Sequence, residues 1–140
     1  MNWLLWSLLS AIFAAATAIL AKIGVSHVDP NLATAIRTTV ILVLSWAIAI
    51  GFGSHQELAL LDRRSIGMLV ASGVATGLSW LCYFRALATG PASKVAPIDK
   101  LSVVFVILLS WLFLGEGLSS GKVLGGVLIV AGAIVLAVSR

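Results

Sequence analysis

Five long stretches nearly free of charge dominate this sequence, at about 3–22, 32–52, 65–88, 94–114 and 122–139. A helix needs ~20 mostly apolar residues to cross a hydrocarbon core ~30 Å thick. Each stretch is therefore read as a transmembrane helix. Strands of a membrane β-barrel alternate polar and apolar over ~10 residues, whereas these runs are continuous and longer. The expected fold class is all-α: one integral membrane bundle of five helices over residues 1–140.

Composition excludes the competing classes. Hydrophobic residues make up 61% of the chain and charged residues 10%, against ~25% charged in an ordinary soluble domain. A water-soluble fold of this size cannot hide so much apolar surface. A disordered chain and a soluble enzyme are excluded on the same ground. The net charge is +4, but the nine Lys and Arg are dispersed, with Arg63–Arg64 the one adjacent pair. Phosphate binding needs a dense basic face, so no nucleic-acid partner is expected. Cys82 is the sole cysteine. It cannot form an internal disulfide, no zinc-ligand spacing occurs, and its apolar surroundings predict a small buried filler. No metal or cofactor is expected. The N-terminal run has no Lys or Arg before it and exceeds the ~7–15 residues of a signal core, so it is read as a retained helix.

Turn formers separate the runs: His27-Val28-Asp29-Pro30, Gly53-Ser54-His55, Gly90-Pro91, and the tight Gly115-Glu116-Gly117 with Ser119-Ser120-Gly121. Both histidines fall in loops and are read as solvated. Small residues recur four apart at Ser7, Ala11 and Ala15, at Gly73 and Gly77, and at Gly121 and Gly125. Helices in lipid associate by close packing, which small residues permit. For Gly121 and Gly125, helix packing within one chain and a dimer face stay open together.

An odd number of spans puts the termini on opposite faces. Counting every Lys and Arg gives three against six, which sends the C-terminus to the cytoplasm. Setting aside Arg37, Arg85 and Lys100, which fall inside helices, leaves three against three. That balance is compatible with insertion in both orientations.

A charge near a span's centre costs at least ~2.5–3.5 kcal/mol and is a functional hypothesis by default. Lys22, Arg85 and Lys94 lie near helix ends, where long side chains snorkel to the interface. Arg37 lies further in and needs a carboxylate, carbonyls or water, with Asp29 and Asp99 as conceivable partners. The stretch Ala96-Pro97-Ile98-Asp99-Lys100 has two readings. A helix starting at Pro97 places Asp99 in a first turn favoured by the macrodipole. A helix starting near Ser93 instead makes Pro97 a break at membrane depth, the device by which transporters expose carbonyls and helix ends. Glu116, at the end of the fourth span, is expected to satisfy amides or pair with a cation. No catalytic triad, paired catalytic carboxylates, phosphate loop or HExxH motif occurs, so no enzyme is expected.

In order and spacing, three pieces resemble a single EamA-type repeat of the drug/metabolite transporter superfamily. Ala21-Lys22 followed by Pro30, Ala33 and Arg37 is similar to its opening. The stretch Ala86-Leu87-Ala88-Thr89-Gly90-Pro91-Ala92-Ser93-Lys94-Val95-Ala96-Pro97 is similar to its middle. Leu112-Phe113-Leu114-Gly115-Glu116, followed by Gly125, Gly126 and Gly132, is similar to its ending. The resemblance implies a secondary transporter, as an exporter of small metabolites, in the inner cell membrane. Most members carry two repeats, ten helices of inverted orientation around a cavity. One repeat is then expected to pair with a second copy, antiparallel where topology is dual, or with a sister protein. The cavity-lining candidates are Arg37, Trp80, Tyr83, Asp99 and Lys100, with Asp99 taking up the coupling proton or cation. Lys22, Pro97 and Glu116 are motif positions. Trp80 and Tyr83 are expected to stack on the substrate. Rival readings are a lipid-linked sugar flippase subunit, which needs a groove open to lipid, and a non-transporting membrane subunit held by the Gly121/Gly125 face.

Overall fold

The computed structural model describes residues 2–139, so Arg140, one of the basic residues counted above, lies outside the described residues. All regular structure among them is helical: α1 (Trp3–Val25), α2 (Pro30–Gly51), a 3₁₀ segment (Ser54–Leu60), α3 (Arg63–Thr89), α4 (Ala92–Asp99), α5 (Ser102–Phe113) and α6 (Ser120–Val138). Five helical stretches are long and apolar enough to span a bilayer, with α4 and α5 together forming the fourth. Their large apolar side chains point outward. Trp3, Phe113 and Val138 are each about three-quarters exposed, an arrangement that only a hydrocarbon solvent tolerates at this density.

The helix ends follow from local chemistry. The Asp29 carboxylate accepts from the Asn31 and Leu32 amides, and Pro30 takes the first turn, where no donor is needed. This starts α2 two residues before the expected boundary. Asp62 does the same for α3, accepting from the Arg64 and Ser65 amides. The Ser119 hydroxyl caps α6 through the Lys122 amide. Gly53 and Gly115 hold the left-handed turns, at φ 74° and 67°, that let the chain leave α2 and α5. Within the spans, hydroxyls return to their own helix: Thr34 to the Pro30 carbonyl, Thr38 to Thr34, Ser45 to Ile41 and Thr76 to Ser72. That satisfies polar atoms where no water is available.

The chain forms two compact units. One comprises residues 1–22 and 89–140, in which α6 packs against α4 and α5. Its buried positions include Ala18, Gly126 and Ala133. Small residues at all three let helices approach closely. The Lys22 ammonium donates to the Gly90 carbonyl at 2.9 Å, and the Lys94 ammonium to the Ala137 carbonyl at 3.0 Å. Both lysines thus terminate on backbone rather than only snorkelling to an interface. The other unit, residues 23–88, holds α2, the 3₁₀ segment and α3. Val25, Thr34, Phe84 and Leu87 are buried, Leu87 completely.

Two sequence expectations are corrected. Cys82 is exposed on α3, not a buried filler; in a bilayer, a small apolar thiol has no reason to avoid the outer surface. The reading with a helix starting at Pro97 also fails. The helix starts at Ala92, so Asp99 is the last residue of α4 rather than part of a first turn.

Candidate functional site

The fourth span is interrupted. Pro97 lies inside α4 and has no N–H to give the Ser93 carbonyl. The backbone tightens after it, with Lys100 donating to Pro97, Leu101 to Ile98, Val103 to Lys100 and Val104 to Leu101, all at i−3 spacing. Helix α5 resumes at Ser102. Asp99 stands at the interruption, where the C-terminal end of a helix dipole disfavours an acid. Lys100 offsets this: its ammonium lies 3.5 Å from the Asp99 carboxylate, both side chains being well exposed.

In the unit of α2 and α3, Arg37 does not meet Asp29, the one of its two expected carboxylates that lies in that unit. Asp29 is occupied with capping α2. The Arg37 guanidinium carbon lies instead 4.3 Å from the Trp80 ring centroid and 5.5 Å from that of Phe84. Both are cation–π distances. Phe84 was missed in the sequence, although it stands one helical turn after Trp80 and so shares its face. Tyr83 is an electrostatic neighbour of the guanidinium. One face of Trp80 is therefore occupied by Arg37. Arg85, near the end of α3, donates to the Asn31 side chain at 3.4 Å.

Of the five cavity candidates, Arg37, Trp80 and Tyr83 belong to one compact unit and Asp99 and Lys100 to the other. Glu116 pairs with Lys122 at 3.2 Å, and the same ammonium donates to the Gly117 carbonyl. At Gly126 an added Cβ would meet Ile107 and Val104 of α5 at 3.9 and 4.0 Å, so this glycine is a packing position of α6 against α5. Gly121 and Gly125 are more open: a Cβ would meet only the Ser119 hydroxyl at the first and nothing within 4 Å at the second. Between α5 and α6 runs an open apolar groove of about 470 Å³, lined by Val104, Ile107, Leu108, Val130 and Ile134, with Lys122 also on its wall. Among the described residues no three His, Cys, Asp or Glu gather closely enough to hold a metal ion.

Five spans, a broken fourth helix and charges at membrane depth are the parts of a transport protein, and residues 1–138 match the model of the EamA-like transporter family. The chain belongs to the EamA-like transporter family. It is a multi-pass membrane protein. An uncharacterized transporter of Sinorhizobium sp., from the cobO 3′ region, is 50% identical over 137 residues, covering 98% of this chain and 97% of that protein. An uncharacterized protein of Methanocaldococcus jannaschii is 30% identical over 86 residues, 61% of this chain and 63% of its own length. The pseudopaline exporter of Pseudomonas aeruginosa is 43% identical over 56 residues, 40% of this chain but 20% of the exporter, which is therefore about twice as long. No solved structure matches the chain. The resemblance read in the sequence thus holds over nearly its whole length.

Proposed function

We propose that this EamA-like protein exports a small metabolite, such as an amino acid or a drug-like compound, across the inner membrane by alternating access. Two repeats form the working unit, either two copies of this chain, antiparallel where insertion is dual, or this chain with a sister repeat. The supporting observation is the interruption of the fourth span beside Asp99. Broken helices place carbonyls and helix ends where ions and substrate groups bind, and Asp99 supplies a carboxylate there as the coupling group for a proton or cation. In proteoliposomes, Asp99→Asn should abolish gradient-driven transport while the protein stays folded. Full activity in that variant would refute the role. Cysteine labelling at both termini and in the Arg63–Arg64 loop tests the inverted pair. Labelling of every site from both sides supports it, and labelling of each site from one side rejects the antiparallel homodimer.

The α5–α6 groove favours a second reading, a subunit that flips a lipid-linked sugar. Its apolar lining and open side suit a lipid tail. Comparing transfer of a lipid carrier with efflux of soluble metabolites separates the two.

A further inference from the structure

Arg37 lies seven residues into α2, ~10 Å from the helix start at the α-helical rise. A long side chain near an interface would turn outward. This one does not. Trp80 is further than Phe84 from the end of α3 at Thr89, and the guanidinium is nearer Trp80, at 4.3 Å, than Phe84, at 5.5 Å. The two rings hold the cation at depth.

Rings alone do not satisfy the guanidinium. Stacking on two rings offsets part of the cost of holding a cation about a third of the way along a span, but it gives none of the N–H donors a hydrogen-bond acceptor. The acids of the same unit are elsewhere. Asp29 caps α2, Asp62 caps α3, and Glu57 lies in the 3₁₀ segment that follows the far end of α2. Among the described residues the Arg37 guanidinium makes no hydrogen bond or ion pair. Among the described residues no polar side-chain atom is both buried and unpaired, so its donors are not sealed off inside the protein. Stacking occupies the face of a guanidinium and leaves its edge, the fork of N–H groups that fits a carboxylate with two parallel hydrogen bonds.

We infer that Arg37 is the subsite for a carboxylate of the transported molecule, held by Trp80 and Phe84 so that its edge stays presented. The inference deepens the transport reading and rests on it. It makes the substrate an organic acid or zwitterion rather than a simple cation. The neutral tip of a matched amide leaves the fork without its charge partner.

The test uses propionate and its isostere propionamide as probes on the purified full chain in phosphatidylcholine nanodiscs. Thermal protection and tryptophan fluorescence are read against probe concentration. Propionate should protect the wild type and propionamide should not. Arg37→Gln should weaken propionate binding by ~10–100-fold, the worth of hydrogen bonds to a charged group. Arg37→Lys, which keeps the charge and loses the fork, should fall between and serves if the glutamine variant does not fold. Equal protection by both probes, no protection by propionate, or unchanged affinity in both variants overturns the subsite. So does protection by phosphatidylglycerol nanodiscs that propionate cannot displace, since the anion is then a lipid phosphate. Proteoliposome efflux separates this inference from the function beneath it. Export of neutral or cationic compounds without a propionate response rejects the carboxylate alone. Propionate protection with no transport of any metabolite rejects the transporter and leaves an anion site.

Discussion

The Lys94 ammonium donates to the Ala137 carbonyl at 3.0 Å, tying the first turn of α4 to the last turn of α6. The last carbonyls of a helix have no intrahelical donor, and the dipole makes that end attractive to a cation. Both effects act on one half-buried contact across 43 residues of sequence. Lys94→Met should lower the unfolding free energy by ~1–2 kcal/mol, and Lys94→Arg should retain most of it. Unfolding in mixed micelles, with the two variants compared, measures the difference.

Gly126 and Gly125 are neighbours with opposite expectations. A methyl group at Gly126 would meet α5 at ordinary contact distance, 3.9 Å from Ile107 and 4.0 Å from Val104. Gly126→Ala should therefore be nearly neutral for the fold. Gly126→Leu should overpack the α5–α6 contact and destabilise it by ~1–3 kcal/mol. At Gly125 nothing lies within 4 Å, so Gly125→Leu should leave the monomer's stability within ~0.5 kcal/mol or raise it through helix propensity. Native mass spectrometry of the Gly125 variant then reads the other possibility directly. Loss of a two-copy species with unchanged monomer stability identifies this face as the contact between copies.

Asp62 carries a pH dependence of known sign. Hydrogen bonds from Ser65, side chain first and then backbone, and from the Arg64 amide hold its carboxyl below the usual carboxylate range. The folded state therefore binds fewer protons there than the unfolded state near pH ~4. The capping contribution is complete above the unfolded value and disappears as pH falls through the lower folded one. The Arg64 and Ser65 amides should lose protection from hydrogen exchange in that acidic window, and Asp62→Asn should flatten the dependence. Unchanged exchange across the window would show that the cap does not depend on the carboxylate's charge.

Much of the architecture was legible in the chain because the bilayer is a stringent solvent. A continuous apolar run has to become a helix there, so the five spans and their order followed from charge-free length. Caps were partly legible: Asp29-Pro30 and Ser119 carry start signals, and reading them as such would have placed α2 and α6 two residues earlier. The interruption of the fourth span had a visible cause in Pro97, but two helix starts satisfied the local sequence equally well.

What the sequence determined by itself is the class of solvent, the number of crossings and the family, since each depends on composition and order along the chain. Which side chains meet was decided by tertiary structure alone. Arg37 has a carboxylate eight residues away at Asp29, yet it rests on Trp80 and Phe84, 43 and 47 residues further on. Local chemistry had already engaged Asp29 as a cap, and the packing of α3 brought two rings to the place where the charge needed a partner.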